Sequence, residues 1–412
     1  MRHPLVCAAL IGLAGCSHAP PPPVAKVAPA KPGALDATET ANAMLAREAT
    51  GLVPTAIHSG DGELQLTVAA KGTPKLEPLP GKQHFMLTVP IGTQQAIYCR
   101  LGPTQDLAAG TLSARADVNK LPHRQITDVN GGALNGAAFL STRTIYSFER
   151  DGVKQWGEVK TAAAERGFEF SAICVHDEVG YAATLRDVLG SLVQSGTFVG
   201  AATSPAYREL SSITLAGKIV GISQTQLVRA DDGRLWSYVD TAMLIPASPL
   251  DFQGHDNFES EVSDGAGNVV SATHIASQGE GELQYKLKLT RTPKGYHVDG
   301  EFGGKRVDAE IASAEALAAA DRAARLTREL MAGKRRDVVL PHYAPSADPL
   351  GFAQATVTPS GDKELPYRRE DSDKTVSLVD VDDNGNGRRG RTQVGPLTLE
   401  IARTAEYGHF PQ

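Results

Sequence analysis

Hydrophobic and polar residues alternate strictly in parts of the second half of the chain. Residues 283–289 alternate without a fault, and the alternation resumes after the turn sequence at 292–295. A period of two predicts strands with one packed face and one solvated face. Further strands are predicted at 221–230 and 234–240, which flank a hairpin signal at 231–233. The second half is therefore predicted to contain an antiparallel meander.

Two segments instead show the helical spacing of three to four residues between apolar side chains. In 180–195 these side chains form one face: Tyr181, Leu185, Val188, Leu189, Leu192 and Val193. In the Ala-rich segment 313–332 one stripe holds Leu317, Ala320, Ala324, Thr327 and Met331. We also predict a shorter helix over residues 36–50.

The order of elements in the first half predicts an α+β fold. Four strands are predicted before the helix at 180–195, namely 63–69, 84–89, 144–148 and 168–175. A sheet of such strands covered by one helix is an α+β sandwich. We therefore expect a sandwich-like α+β domain over residues 36–200, and its order of elements resembles that of the PsbP-like sandwich.

A stretch rich in Gly, Ala, Ser and Pro at 196–211 predicts the boundary between two domains. After it we expect a β-rich antiparallel domain over residues 205–412. Its one helix is the Ala-rich segment 313–332, so that the whole chain is assigned to the α+β class.

The first sixteen residues have the pattern of an export signal. Arg2 is positive, residues 5–13 form an apolar run too short to span a bilayer, and Leu13-Ala14-Gly15-Cys16 follows. This tetrapeptide resembles the lipobox of bacterial lipoproteins. The resemblance implies a signal peptide over 1–15, cleavage before Cys16, a diacylglyceryl thioether on its sulfur and acylation of its amine, with palmitate as a typical chain. Because Ser17 and not Asp follows Cys16, it also implies anchoring in the outer membrane. An ordinary secretory signal with a coincidental cysteine is the alternative.

Residues 16–35 are predicted to be a tether between the membrane and the folded part. Prolines stand at positions 20–23, 29 and 32 among Ala, Val and Lys. Pro-rich chain favours the extended polyproline II conformation and lacks the apolar side chains needed for a core. A ligand for a proline-recognition domain is the alternative.

Composition narrows the range of functions. The 412 residues are 41% hydrophobic and 21% charged, with a formal net charge of −6. These fractions are typical of a globular protein. A mildly acidic chain lacks the excess of basic residues with which proteins bind nucleic acid, so we expect no nucleic-acid partner.

Four cysteines are present, and the signal accounts for two of them. Cys7 would leave with the signal peptide and Cys16 would be acylated, which leaves Cys99 and Cys174 in strand-like segments. Cysteine pairs in oxidising compartments usually form disulfides. We predict a Cys99–Cys174 disulfide, with two buried free thiols or one reactive cysteine as alternatives.

One motif suggests a metal. Asp380, Asp382, Asn384 and the following Gly385 match the first half of a calcium loop, in which oxygens alternate before a sharp turn. Position 12 of such a loop needs a bidentate acid, and here it is Arg391. The Asn-Gly pair equally favours a hairpin loop, so we predict no metal site.

Other chemistry is weakly represented in the sequence. The cluster 176–178 (His-Asp-Glu) suits either an acid–base site or a strand-to-helix turn with capping acids, and the turn is favoured. No nucleophile elbow, zinc-protease motif, P-loop or dinucleotide fingerprint is present. We therefore predict no catalytic residues and no cofactor.

Together these observations favour an envelope lipoprotein that is a non-enzymatic binding or structural module. It would contact the membrane through its acyl chains and bind an envelope protein or lipid. Two alternatives stay open. One is a carrier of lipids or lipoproteins with a curved sheet and a helix in its concavity. The other is an envelope hydrolase whose catalytic residues are dispersed along the sequence.

Overall fold

Long antiparallel strands make up most of this protein. The structure, a computed structural model, describes residues 42–411 apart from 81–82, 122, 168, 200–204, 231, 249–250, 314 and 347. Strands account for 59% of it and helices for 12%, and its three sheets are antiparallel. The predicted α+β class is therefore wrong, and the protein is mostly β. The predicted signal peptide, Cys16 and the tether to residue 35 lie outside the described residues.

In the described part from residue 53 onward, the first half of the chain forms two sheets and three helices. The small sheet consists, in spatial order, of β1 (Val53–His58), β2 (Leu64–Ala70) and β10 (Thr197–Phe198). The seven-stranded sheet consists, in spatial order, of β3 (Lys75–Pro78), β4 (Phe85–Pro90), β5 (Ala96–Gly102), β9 (Phe170–His176), β8 (Val153–Arg166), β7 (Ala137–Arg150) and β6 (Arg124–Leu134). The helices are α1 (Leu107–Ser113), α2 (Ala116–Asn119) and α3 (Ala182–Ser195). Helix α3 packs against β2 of the small sheet and against β8 and β9 of the larger one.

The second half forms one sheet of 14 strands. Its first eight strands are a meander: β11 (Tyr207–Leu215), β12 (Lys218–Arg229), β13 (Leu235–Ser248), β14 (Asp251–Ser263), β15 (Val269–Gln278), β16 (Glu282–Thr292), β17 (Gly295–Phe302) and β18 (Lys305–Ala312). Six more strands follow helix α4 (Ala320–Met331): β19 (Val338–Tyr343), β20 (Phe352–Pro359), β21 (Tyr367–Asp371), β22 (Val376–Val381), β23 (Gly387–Val394) and β24 (Leu397–Gly408). The last strand, β24, pairs with β11, so that β18 and β19 are the two edges of the sheet.

This 14-stranded sheet, hereafter the curled sheet, bends until its two ends face each other across its concave side. The ring of Tyr343 on β19 contacts that of His274 on β15, with ring centroids 5.1 Å apart. Phe352 on β20 contacts Tyr296 on β17 at 5.6 Å. Helix α4 lies on the same side, where Leu330 joins the core formed by β19 and β20.

The structure moves the starts of two predicted helices. The helix predicted at 180–195 is observed as α3, Ala182–Ser195. The helix predicted at 313–332 begins only at Ala320. The reason is that the Leu317 carbonyl accepts a hydrogen bond from Val269 (3.0 Å) and the Ala318 N–H donates to Pro341 (2.9 Å). These bonds hold the segment before α4 in an extended form between β15 and β19. Of the helix predicted at 36–50, the described part contains one turn at 42–45.

The two halves of the chain share a hydrophobic core. Leu140, Ala163 and Ile173 of the seven-stranded sheet pack with Leu210 and Leu244 of the curled sheet. The seven-stranded sheet is therefore covered on both faces, by α3 and by the curled sheet. Residues 158–165 of β8 are accordingly all buried. A strand buried on both faces shows no alternation of apolar and polar residues, which is why its sequence did not predict a strand.

Cys99 and Cys174 form a disulfide, as predicted. The two residues stand opposite each other in the register of β5 and β9, and both are fully buried. The bond therefore joins two neighbouring strands in the middle of the seven-stranded sheet. Within the described residues, no helix is long and apolar enough to cross a membrane.

Candidate functional site

The concave side of the curled sheet carries a group of polar side chains. Asn257, Glu259 and Glu261 are alternate residues of β14 and therefore lie on one face. In the register, Glu259 is opposite His274 of β15, and the next strand, β16, contributes Tyr285. These five residues are hereafter the inner cluster. Since the His274 ring contacts Tyr343 from the other end of the sheet, the cluster faces the concavity.

Hydrogen bonds connect three members of the inner cluster, and a fourth, His274, lies beside them. The Tyr285 hydroxyl donates to Oδ1 of Asn257 at 3.3 Å. Nδ2 of Asn257 donates to Oε1 of Glu259 at 2.9 Å. The same oxygen lies 3.9 Å from Nδ1 of His274. The arrangement orients the Glu259 carboxylate toward the imidazole.

His274 is almost completely buried and has no hydrogen-bond partner in the described protein. It is 2% exposed, and no protein group is within hydrogen-bond distance of either ring nitrogen. Burial lowers its pKa, against the charge of Glu259, which raises it, so the ring is neutral at neutral pH. A neutral imidazole has one donor and one acceptor. Leaving such groups buried and unpaired costs about 1–3 kcal/mol each, so this position is suited to a polar ligand.

Glu261 lies deep in the concavity, enclosed by protein on most sides, although part of its surface stays accessible. Burial raises its pKa to about 8, and the charges of Glu259 and Asp321 add to this effect. Both of these neighbours are acidic. The carboxyl group is therefore largely protonated at neutral pH, and a cation placed beside it would favour its ionised form.

A second polar group extends the site on the far side of the concavity. Nε2 of His342 on β19 lies 3.9 Å from Oδ1 of Asp371 on β21. Arg369 donates to both oxygens of Asp371, at 2.9 to 3.3 Å. Arg369 is thus paired with Asp371, and its positive charge does not neutralise Glu259 or Glu261. The concavity is consequently acidic on the β14 side.

The residues of the candidate calcium motif lie at the end of β22, which includes Asp380, and in the hairpin loop that leads to β23. The Asp380 carboxylate forms an ion pair with Arg388 at 2.6 Å, and that of Asp382 with Arg403 at 2.7 Å. The Asn384 carbonyl accepts a hydrogen bond from Arg328 of α4 at 2.7 Å. Arg388 and Arg403 therefore pair with the two carboxylates that a calcium ion would need.

The predicted His-Asp-Glu cluster lies at the turn between β9 and α3. Nδ1 of His176 is 3.0 Å from the Ala96 carbonyl, and its ring packs edge-on against Tyr181 at 4.9 Å. The Lys160 ammonium donates to the Glu178 carbonyl at 2.6 Å. In the part of the chain that the structure describes, no three His, Cys, Asp or Glu side chains are placed to hold a metal ion.

The sequence reasoning did not identify the inner cluster. The one signal was the polar residue at every second position of 257–261, which predicts a strand with a polar face. A polar face is normally the solvated one. Only the bending of the sheet turns this face inward.

Comparisons with known proteins add little to this picture. No family model matches the chain, and no curated protein matches it significantly. A β-barrel-like protein of domain of unknown function DUF1849 from Brucella abortus is 11% identical, with 48% of this chain and 96% of that chain covered and a TM-score of 0.37. LpqN, involved in cell envelope biogenesis of Mycobacterium tuberculosis, is 17% identical, with 36% and 91% covered and a TM-score of 0.20. Likeness at this level carries no functional argument, so function is argued from the residues of this chain.

Proposed function

We propose that this chain is a lipid-anchored envelope protein that binds a small organic cation in the concavity of its curled sheet. The observation that carries the proposal is the deep carboxyl group of Glu261, which has acidic neighbours and a pKa raised to about 8. An ammonium or guanidinium group beside Glu261 would attract its carboxylate and offset the repulsion from Glu259 and Asp321. The unpartnered nitrogens of His274 supply further hydrogen-bonding capacity for such a ligand.

The anchoring part of the proposal is supported by the sequence pattern that ends at Cys16 and by the disulfide. Structural disulfides persist mainly in oxidising compartments, such as the bacterial envelope. Cys99 and Cys174 are bonded and buried within the sheet, which is the arrangement of a structural disulfide. We propose the outer membrane as the anchoring site because Ser17, and not Asp, follows Cys16.

The charge of the concavity disfavours the alternative of a lipid carrier. The curved sheet with a helix on its concave side has the architecture expected of such a carrier. However, an acyl chain placed there would lie against the polar carboxyl groups of Glu259 and Glu261, and polar groups lose hydration at a cost in contact with hydrocarbon. The apolar residues of this side, among them Leu287, Leu289 and Val298, are packed into a core and buried.

Cation binding is tested by titration calorimetry of the intact protein with putrescine and with arginine amide, and with glucose as a neutral probe. We expect the two cations to bind and glucose not to bind. Because Glu261 is largely protonated at pH 7 and must ionise beside a cation, binding should release a proton. The measured enthalpy should therefore differ between phosphate and Tris buffers.

The Glu261→Gln variant should weaken cation binding by about tenfold or more, equivalent to about 1.4 kcal/mol, and should abolish proton release. Glu282→Gln is the matched control, because Glu282 is exposed on β16. It should leave affinity and proton release unchanged. Absence of binding by both cations, or equal binding by wild type and Glu261→Gln, would contradict the proposal.

A further inference from the structure

The hairpin formed by β7 and β8 projects beyond the rest of its sheet. On one side β6 accompanies β7 only as far as Tyr146, and on the other β9 accompanies β8 only as far as Lys160. Beyond these points the two strands pair with each other up to Arg150 and Val153. Tyr146 pairs with Gly157, so the part without a neighbour on either side runs from Gly157 to Val153, about 13 Å at about 3.3 Å per residue. Hereafter residues 149–156 are the hairpin tip.

The hairpin tip exposes large apolar side chains on both of its faces. Trp156 is 64% exposed and Val153 is 60% exposed. Trp156 is three residues from Val153 on the same strand, so the two side chains point to opposite faces. The Lys154 ammonium lies 4.9 Å from the centre of the Trp156 ring. The tip therefore carries one large apolar side chain on each face, beside the exposed charged side chains of Arg150 and Asp151.

This combination suits the boundary between lipid and water. Tryptophan is enriched at that boundary because one part of its ring system is apolar and its N–H needs a polar partner. A lysine beside it can bury its methylene groups while its ammonium stays in the headgroup layer. Exposed apolar residues on a narrow projection can enter this layer together.

The described chain begins at the end of the sheet from which the hairpin projects. The Tyr181 N–H, just after β9, donates to the carbonyl of Arg47. The Lys160 ammonium on β8 donates to the Glu178 carbonyl in the same turn. The first part of the described chain thus lies beside the base of the hairpin. The 26 residues 16–41 precede it, and they span at most about 80 Å when extended at about 3.1 Å per residue. A membrane that holds Cys16 is therefore within reach of the hairpin tip.

We infer that the hairpin tip enters the interfacial layer of the bilayer that anchors the chain, with Trp156 and Val153 as the inserting residues. The inference rests on the anchoring part of the proposed function and is independent of ligand binding. The tether makes the contact intramolecular, so that a small inserting surface is sufficient. The hairpin would orient the folded part relative to the membrane.

The two tryptophans of the chain permit a direct test. The variant Trp236→Phe retains only Trp156, and Trp156→Phe retains only Trp236, which lies in the curled sheet and stacks on Tyr238. Each full-length acylated protein is reconstituted in phosphatidylcholine vesicles with brominated acyl chains, which quench tryptophan on contact. Acylation is read separately from the mass of the N-terminal peptide. We expect the emission of Trp236→Phe to be quenched about twofold or more, as for an interfacial tryptophan, and that of Trp156→Phe to be unchanged.

Three outcomes would overturn the inference. The first is unquenched Trp156 in protein whose acylation has been verified. The second is equal quenching of both variants, which indicates a contact that does not involve the hairpin. The third is a blue shift of the Trp156 fluorescence emission when the protein concentration is raised in the absence of lipid. This shift would indicate that a second copy of the chain is the partner. If the mass shows no acyl chain, the anchoring proposal fails, and the inference that rests on it fails for that separate reason.

Discussion

Raising the pH from 5 to 9 is expected to destabilise this protein by several kcal/mol. The cause lies between the two halves of the chain, where carboxyl groups are buried. Burial raises the pKa of Asp256 on β14 to about 8. Its oxygens accept hydrogen bonds from the backbone N–H groups of Ala108 and Ala109, at 2.9 and 2.8 Å, and these bonds lower the pKa by less than burial raises it. Burial also raises the pKa of Glu165 on β8, which shares a hydrogen bond with Asp240 on β13.

The direction of the effect follows from proton binding in the two states. An unfolded aspartate has a pKa near 3.9, so the folded protein holds its protons more tightly. Below pH 4 the groups are protonated in both states and stability is unaffected. As the pH rises from about 4 to about 8, the unfolded chain ionises first, and each pH unit lowers the free energy of unfolding by up to about 1.4 kcal/mol per group. The loss is complete above the folded pKa.

The measurement is urea unfolding of wild type and Asp256→Asn at several pH values. The variant should lose about 1–2 kcal/mol at pH 5, because its amide can accept only one of the two backbone hydrogen bonds well. Its stability should fall less steeply toward pH 9, since Glu165, Asp240 and Glu261 still contribute to the slope. Asp117→Asn on α2, whose side chain is fully exposed, should retain the wild-type slope. A wild-type stability that is constant or rises between pH 5 and 9 would refute this account.

Removal of the disulfide is the second change with a large expected effect. The bond closes a loop with a sequence separation of 75 residues. By the chain-entropy relation, such a cross-link destabilises the unfolded state by about 4 kcal/mol. Cys99 and Cys174 are also fully buried in the core beneath α3, so their replacement by alanine removes packing contacts as well.

The test compares wild type and the double variant Cys99→Ala/Cys174→Ala by thermal unfolding, each with and without dithiothreitol. The double variant should unfold at a clearly lower temperature and should not respond to the reductant. Wild type should approach the double variant once mass spectrometry shows two free thiols. If fully reduced wild type kept its original midpoint, the disulfide would have no stabilising role.

Individual elements were predictable where one face of a strand or helix meets the core and the other meets water. The alternation at 283–289 predicted a strand, observed as Glu282–Thr292. The apolar face of 180–195 predicted α3. The pairing of Cys99 with Cys174 followed by elimination among four cysteines, and the structure confirms it. In these cases the local pattern directly reflects the environment.

The fold class and the candidate site were decided by tertiary structure. The alanines of β8 are typical of helices, and this segment is a strand because α3 and the curled sheet cover both of its faces. Helix α4 begins at Ala320 and not at 313, because Leu317 and Ala318 form hydrogen bonds with Val269 and Pro341, which lie far away in the sequence.

The inner cluster depends on the bending of the whole sheet. The sequence by itself determined which residues of β14 share a face, because alternate residues of a strand point the same way. It could not determine that the face with Glu259 and Glu261 lines a concavity. That outcome depends on the packing of Tyr343 against His274 and of Phe352 against Tyr296. These contacts join residues that are 69 and 56 positions apart in the sequence, and no local pattern encodes them.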